Sequence, residues 1–356
     1  MQRTLRHRHR TAAALAAALA TAVLLIGIPV TPASAYPPED ARYLDYAELV
    51  DAVQSIAARR PDIARAFSIG RSHEGRELWA ATVSDNVTRD EGEPEVLFDG
   101  GIHGREHLST EMAIVLFRSL VDGYGRDPRI TRIVDTREVT IIFNLNPDGS
   151  EHDHTSTGYR SWRKNRQPTP GSAEIGTDIN RNFEYHWGTN PLNASPAANT
   201  YRGPAAWSTP EASAFRRYVD GRVVGGRQQI RVHVTFHQFG RIVLYPFGWT
   251  TEPLPADMDP GDHTTLVSMA TEMARRSGYQ VAQSSSGEIH VGNQVDWMYA
   301  THRILSFTVE MGDSFTMPDE AIATETARNL DTALYAIEQA GGATLLPNTA
   351  LPASGG

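Results

Sequence analysis

Glu95-Val96-Leu97-Phe98-Asp99-Gly100-Gly101-Ile102-His103-Gly104-Arg105-Glu106 is the stretch on which the fold of this chain turns. Glu95–Asp99 reads as a short strand with an apolar centre, and Gly100-Gly101 punctuates it. His103 and Glu106 follow in a loop. Beyond them Ser109 can cap a helix whose Met112, Leu116 and Leu120 recur on one face. Strand, polar loop and helix in that order make one unit of an α/β domain. Its polar residues stand at the strand's C-terminal end, where open α/β sheets place their sites.

The pattern repeats along the chain. Glu77–Ser84 reads as a strand, and Glu138–Asn144 is a β-branched run ending in the turn signal Asn146-Pro147-Asp148-Gly149. Ile230–Phe236 is a strand that delivers His237, and Ile304–Val309 one that delivers Glu310. Helical spacing links Leu49, Val53 and Ile56 up to Pro61, covers Thr264–Arg276 before Gly278, and runs over Pro318–Gln339 before Gly341-Gly342. Ser208-Thr209-Pro210-Glu211 opens another helix as a capping box. Strands apolar on both faces alternate with helices. The prediction is an α/β fold, a single domain with a central mixed, mostly parallel sheet flanked by helices. Residues 150–207, rich in Gly, Pro, Asn, Ser and Trp, read as a long irregular region, which in a compact domain is usually a binding or catalytic surface.

The ends read differently from the middle. Arg3, Arg6, Arg8 and Arg10 precede an uncharged stretch over Ala12–Ile28, and Ala33-Ser34-Ala35 supplies a cleavage signature. The expected organisation is a signal peptide over 1–35, a catalytic domain over 36–342 and a disordered tail over 343–356. A secreted, extracellular protein follows, with no membrane attachment after the leader is removed. Without the leader, 321 of the 356 residues remain, enough for a large core. Formal net charge is −9; the leader carries four arginines and no acid, so the remainder stands at −13. That balance disfavours nucleic acid and anionic membranes as partners. The chain has no cysteine, so disulfides and thiolate ligands are excluded and any zinc must be held by His and carboxylate.

His103, Glu106 and His237 offer two imidazoles and a carboxylate for one metal, with Glu310 as a spare carboxylate for proton transfer. Arg163 and Asp178-Ile179-Asn180-Arg181-Asn182 add arginines suited to a negatively charged substrate. Taken singly, each has an ordinary structural reading: a loop histidine, a strand-end histidine, an ion-pair partner, surface arginines. Together, in order along the chain, they make a parts list for metal-assisted hydrolysis of a peptide bond near a free C-terminus.

This ordered set resembles the zinc metallocarboxypeptidases of the carboxypeptidase A and carboxypeptidase T type (peptidase family M14), from about Tyr43 to about Gln339. Ile69 to Arg76 looks like the family's early strand and turn. Gly101 to Glu106 looks like its first metal motif. Asn146 to Gly149 and Trp162-Arg163-Lys164 look like the segment bearing its oxyanion arginine. Asp178 to Phe183 is similar to the stretch that binds the substrate's terminal carboxylate. His237 through Leu244-Tyr245-Pro246-Phe247-Gly248 resembles the last ligand and the strand after it, and Phe307-Thr308-Val309-Glu310 the catalytic glutamate.

The resemblance implies one Zn2+ per chain on His103, Glu106 and His237, with a position left for water, the ligand set by which carboxypeptidase A holds its zinc. Zinc would acidify water and polarise the scissile carbonyl, Glu310 would carry the proton to the leaving amine, and Arg163 would stabilise the oxyanion. Asn180 and Arg181 would hold the terminal carboxylate, Arg105 would guide it in, and Asp178 would fix the tautomer of His103.

The sequence departs from the pattern where the family has a mobile tyrosine eight residues before an Asp-Trp pair. Counting back from Asp296-Trp297 reaches Glu288, with Ile289 and His290 beside it. Phe239 stands where another tyrosine is common. Val295 matches the base of the specificity pocket, and with Asn293 nearby it predicts release of neutral or apolar residues. Glu288 could instead attract Lys or Arg. The short span between Ala35 and Tyr43 leaves no room for a long inhibitory pro-domain, so release in active form is expected. The expected function is hydrolysis of the C-terminal bond of peptides and proteins by a monomer. The alternatives are a zinc peptidase of cell-wall peptides, in which Glu288 meets a substrate amino group, and a non-catalytic peptide-binding module on the same scaffold.

Overall fold

Eight strands hydrogen-bond into one sheet: β1 (Ala64–Arg71), β2 (Glu77–Val83), β3 (Glu95–Asp99), β4 (Glu138–Ile142), β5 (Ile230–Gln238), β6 (Ile242–Tyr245), β7 (Gln280–Gln283) and β8 (Leu305–Met311). Their order across the sheet is β1-β2-β4-β3-β5-β8-β6-β7. The computed structural model describes residues 43–155 and 158–342. The expected signal peptide (1–35) and tail (343–356) lie outside the described residues. The four central strands β4, β3, β5 and β8 are parallel to one another, as are β6 and β7. β1–β2, β2–β4 and β6–β8 pair antiparallel. The expected mixed, mostly parallel sheet in a single α/β domain is what forms.

Parallel central strands need cover on both faces, and alternation within each strand supplies it. In β3, Val96 and Phe98 join the apolar cluster that includes Leu108, Met112 and Leu116, whereas Leu97 turns to the opposite cluster with Phe215 and Trp297. All five residues of β3 are buried. Truncating Leu97 or Phe98 to Ala would cost about 2–5 kcal/mol through lost burial and the cavity left behind.

The helices are α1 (Tyr46–Arg59), α2 (His107–Gly123), α3 (Pro128–Val134), α4 (Pro147–Asp153), α5 (Pro210–Gly221), α6 (Pro260–Ser277), α7 (Gln294–His302) and α8 (Ile322–Gln339). Several starts differ from the sequence expectation. α6 begins at Pro260, capped by Asp259, rather than at Thr264. α8 begins at Ile322 rather than Pro318, after a 3-10 turn over Asp319–Ala321. Three more differ in how they are capped. Ser109 does not cap α2. The helix begins at His107, and Ser109 Oγ instead donates to the Glu106 carbonyl and accepts from Gly101 N–H at 2.8 Å, stapling the loop to the first turn. Asn146-Pro147-Asp148-Gly149 is not a free turn but the start of α4. Asn146 Oδ1 accepts from Gly149 N–H, and Pro147 takes the first helical position, where its missing donor costs nothing. At α5, Thr209 caps alone, while Glu211 accepts from His73 N–H and the Asn165 amide rather than completing a box.

On the outer face, α3, α6 and α8 are laced by charge. Arg129 reaches Glu338 at 2.8 Å and Asp331 at 2.5 Å, and Arg276 reaches Asp331 at 2.9 Å and Glu272 at 2.8 Å.

Candidate active site

Because β3, β5 and β8 are parallel, their C-terminal ends share one edge of the sheet. The loop after β3 carries His103 and Glu106 to that edge, β5 carries His237 and β8 carries Glu310. The loop can lie this close only because residue 104 is glycine: its N–H donates to the Arg163 carbonyl at 3.0 Å, and an added Cβ would stand 2.5 Å from the Gly149 carbonyl carbon.

His103 Nδ1 lies 2.8 Å from Glu106 Oε1, and His237 Nδ1 lies 2.9 Å from Glu106 Oε2. Both imidazoles thus aim the same ring atom at one carboxylate, and all three side chains are buried. Burial alone would raise the Glu106 pKa, but His103 and His237 hold it well below the usual carboxylate range. Its place at the N-terminal end of the 17-residue α2 also favours the anion. Burial works against protonation of His237, yet Glu106 raises its pKa; burial and then Arg163 lower that of His103. Potential ligand atoms of the three residues lie within 4.8 Å of one another. Two imidazoles and a carboxylate are a donor set that zinc takes while leaving a position open, so these residues fit that ion. Among the described residues one other trio comes as close, Asp85, Glu91 and Glu93, all carboxylates and partly exposed.

Asp178 stands behind the triad, fully buried. Its Oδ2 accepts from Arg163 Nε at 3.0 Å, its Oδ1 accepts from Asn180 N–H at 3.0 Å, and Oδ1 lies 3.3 Å from His103 Nε2. Burial would push its pKa up, but Arg163 and His103 bring it well below the ordinary value. One carboxylate therefore holds Arg163 and the start of the Asn180-Arg181 turn, and it stands beside the His103 ring. Arg163 Nη1 comes within 3.8 Å of Glu106 Oε1.

Glu310 faces the same space, and its Oε2 has no hydrogen-bond partner among the described residues. Burial pushes its pKa up to about 7; Glu106 adds to the rise, while His237 and Arg163 oppose it. A cation among the three ligands would draw it back down.

Next to the triad lie Asn180 and Arg181. Asn180 Oδ1 accepts from Gln294 N–H at 2.9 Å, and since a backbone N–H can only donate, the amide nitrogen is the end left for a ligand. Arg181 Nη1 donates to the Asn180 carbonyl at 2.8 Å, and its Nη2 lies 2.7 Å from His290 Nδ1. A cavity of about 350 Å3 is lined by the metal triad, Glu310, Arg163, Asn180 and Arg181, and by Arg105, Val295 and Glu288. Val295 is buried at its wall. Asn293 is occupied, capping α7 at Asp296 N–H and donating to the His290 carbonyl. Glu288 is 69 % exposed at the rim, 4.0 Å from Arg181 Nη2. Arg105 spreads over the Phe315 ring at 3.8 Å, beside exposed Phe239.

The structure thus brings every site residue anticipated from sequence to one place, with Asp178 directly behind. Two further residues belong there and escaped sequence reasoning. Gln294 orients Asn180 through its backbone, a signal no side-chain pattern carries. His290 touches Arg181, although Glu288 is the residue that counting from Asp296 singles out. A larger hollow of about 590 Å3 opens at the other end of the strands, beside Ile230 and Leu305, and includes none of these residues.

The profile of the family described as zinc carboxypeptidase matches residues 49–332. A zinc carboxypeptidase of Saccharothrix mutabilis subsp. capreolus is 37% identical over 292 residues, covering 81% of this chain and 67% of that protein. Carboxypeptidase A1 of Homo sapiens is 28% identical over 281 residues, covering 77% of this chain; the chain spans 63% of the human protein's length. The crystal structure of carboxypeptidase A from Helicoverpa armigera superposes with a TM-score of 0.74 at 24% identity, over 85% of this chain and 75% of the other, a likeness of fold.

Proposed function

This chain belongs to the zinc carboxypeptidase family, and from that premise we propose that it is a zinc-dependent metallocarboxypeptidase that hydrolyses the C-terminal peptide bond of peptides and proteins. The observation that carries the reading is the shared cavity onto which the His103–Glu106–His237 triad, Glu310 and Arg181 all open. That arrangement supports placing a substrate with its terminal carboxylate in an anion seat formed by Asn180 and Arg181 and its last peptide bond near the triad.

His103, Glu106 and His237 would hold one zinc ion, which supplies Lewis acidity for the scissile carbonyl and acidifies water. Glu310, unpartnered at Oε2 among the described residues, takes the proton of the attacking water and returns it to the leaving amine. Arg163, held by Asp178, presents its guanidinium to the oxyanion of the tetrahedral intermediate. Asn180 and Arg181 bind the terminal carboxylate, and Arg105 at the mouth guides it inward. Val295 and the occupied side chain of Asn293 put no acid at that wall, which supports release of neutral or apolar residues. Exposed Glu288 favours a second reading, a substrate bearing an amino group near its terminus, as in cell-wall peptides.

The basic n-region, apolar stretch and Ala33-Ser34-Ala35 support secretion. Among the described residues no helix is long and apolar enough to cross a membrane. The proposed working form is an extracellular monomer.

The test is zinc content together with cleavage of paired peptides that differ only in a free or amidated C-terminus. One zinc per chain is expected, with amidation slowing cleavage roughly thirtyfold to a thousandfold, the weight of about 2–4 kcal/mol for a charge-assisted bidentate contact. Equal cleavage of acid and amide would mean that the enzyme is not a carboxypeptidase.

A further inference from the structure

Arg181 has no lone pair to offer, because a guanidinium only donates. The nitrogen 2.7 Å from its Nη2, His290 Nδ1, must therefore be an acceptor. Glu288 Oε1 also lies 3.3 Å from this nitrogen. Nδ1 cannot donate to Glu288 and accept from Arg181 at once, and the shorter contact with the buried donor decides. Glu288 is mostly exposed and free to turn outward. A neutral ring with Nδ1 as acceptor carries its proton on Nε2. Burial, reinforced by Arg181 and Arg163, pushes the His290 pKa down to about 3, so the ring is neutral at working pH.

His290 is also held firmly. Gly292, two residues on, pairs with Phe183 and Tyr185 through backbone bonds of 3.0 and 3.1 Å, and the His290 N–H donates to the Gly248 carbonyl at 2.8 Å. Gly292 has φ +65°, and an added Cβ would stand 2.7 Å from the Arg181 carbonyl oxygen, so the two segments approach closely only with glycine here. The ring lines the same cavity as Asn180 and Arg181, and no polar group among the described residues bonds its Nε2.

We propose that His290 is a third, fixed donor for the substrate's terminal carboxylate: Nδ1 accepts from Arg181 and steadies it, and Nε2–H donates to the carboxylate beside Asn180 and Arg181. The proposal rests on the carboxypeptidase reading and makes the anion seat a preformed three-point site. Its consequence is selectivity for a carboxylate, whose two oxygens accept from all three residues.

Two substitutions separate direct donation from mere support of Arg181. In His290→Asn, the amide oxygen can replace Nδ1 as acceptor while the donor at the Nε2 position is lost. In His290→Gln, a donor near the Nε2 position survives while support of Arg181 is lost. The readout is kcat/KM for a peptide acid divided by that for its C-terminal amide. His290→Asn should lower this ratio about ten- to a hundredfold, chiefly through KM, as expected for loss of a hydrogen bond to a charged group; His290→Gln should retain most of it. The opposite order, or no change with Asn, overturns direct donation while leaving the carboxypeptidase reading intact. A wild-type enzyme that cuts acid and amide alike overturns both. Nitrogen NMR of the histidines in the zinc-loaded wild-type enzyme needs no variant. It should show His290 protonated on Nε2 at neutral pH, with that resonance shifting when N-acetylphenylalanine is added; an Nδ1-protonated ring, or no response, overturns the proposal.

Discussion

Glu310 stands directly opposite His237 in the parallel register of β8 on β5. The proposed base and a proposed metal ligand are thus fixed one strand spacing apart, about 4.8 Å between backbones, by a ladder that continues from Leu305 to Met311. A base set on a central strand needs no loop closure to reach its working position, which is the kind of support that keeps a reacting group within a fraction of an ångström.

Glu310→Gln is therefore expected to keep the fold and the zinc while losing turnover by about a hundredfold or more, with the loss in kcat. Steady-state kinetics beside metal analysis checks this. Zinc lost at concentrations that saturate the wild type would make Glu310 a ligand instead.

The same residue should cost stability when no metal is bound. Its folded pKa of about 7 exceeds the ordinary carboxyl value of about 4.3, so between those values the folded state holds more proton than the unfolded one. Stability from this group falls as pH rises through that window, and the deficit is complete above it. Metal-free Glu310→Gln should then melt above metal-free wild type at about pH 8, and the two should converge below about pH 4. Parallel melting curves at every pH would count against a half-buried carboxylate with an oxygen unpartnered among the described residues.

Replacing His103, Glu106 or His237 with Ala should remove zinc and activity together, and exhaustive chelation should do so reversibly. Asp178→Asn tests the residue behind them. It keeps the shape but weakens the grip on Arg163 and removes the charge beside His103, and about a ten- to hundredfold loss in zinc affinity or activity is expected. Unchanged zinc affinity and kcat would remove Asp178 from the machinery.

The candidate site was legible because its members fall in order at strand ends that periodicity reveals: His237 after Ile230–Phe236, Glu310 after Ile304–Val309. Buried parallel strands announce themselves as apolar runs. Local starts were less legible, because one signal serves several geometries. Asn-Pro-Asp-Gly reads equally as a turn or as the first turn of α4, and Ser109 could have capped α2 had Glu106 not taken the N-cap position. The proposed anion seat was half legible. Asn180 and Arg181 follow from the resemblance, but His290 meets Arg181 across 109 residues of chain, through pairing of Phe183 with Gly292 that no spacing rule encodes.

Side-chain preference is the last test. With Val295 at the wall, peptides ending in Leu or Phe should be cut faster than those ending in Asp or Glu, which would face Glu288 at the rim. Lys and Arg termini should respond to Glu288→Gln if that carboxylate contacts them. A preference for basic termini that vanishes in the variant would assign selectivity to Glu288 rather than Val295.

The belt of Arg129, Asp331, Arg276, Glu272 and Glu338 has a thermal consequence. Near room temperature such partly exposed pairs contribute little each. The cost of stripping water from charged groups falls on heating, so a connected network gains weight as the solution warms. In a chain with no disulfide to hold helices together, the seam joining α3, α6 and α8 should be the part of the surface that yields last in a hot medium, and the part most readily loosened by concentrated salt.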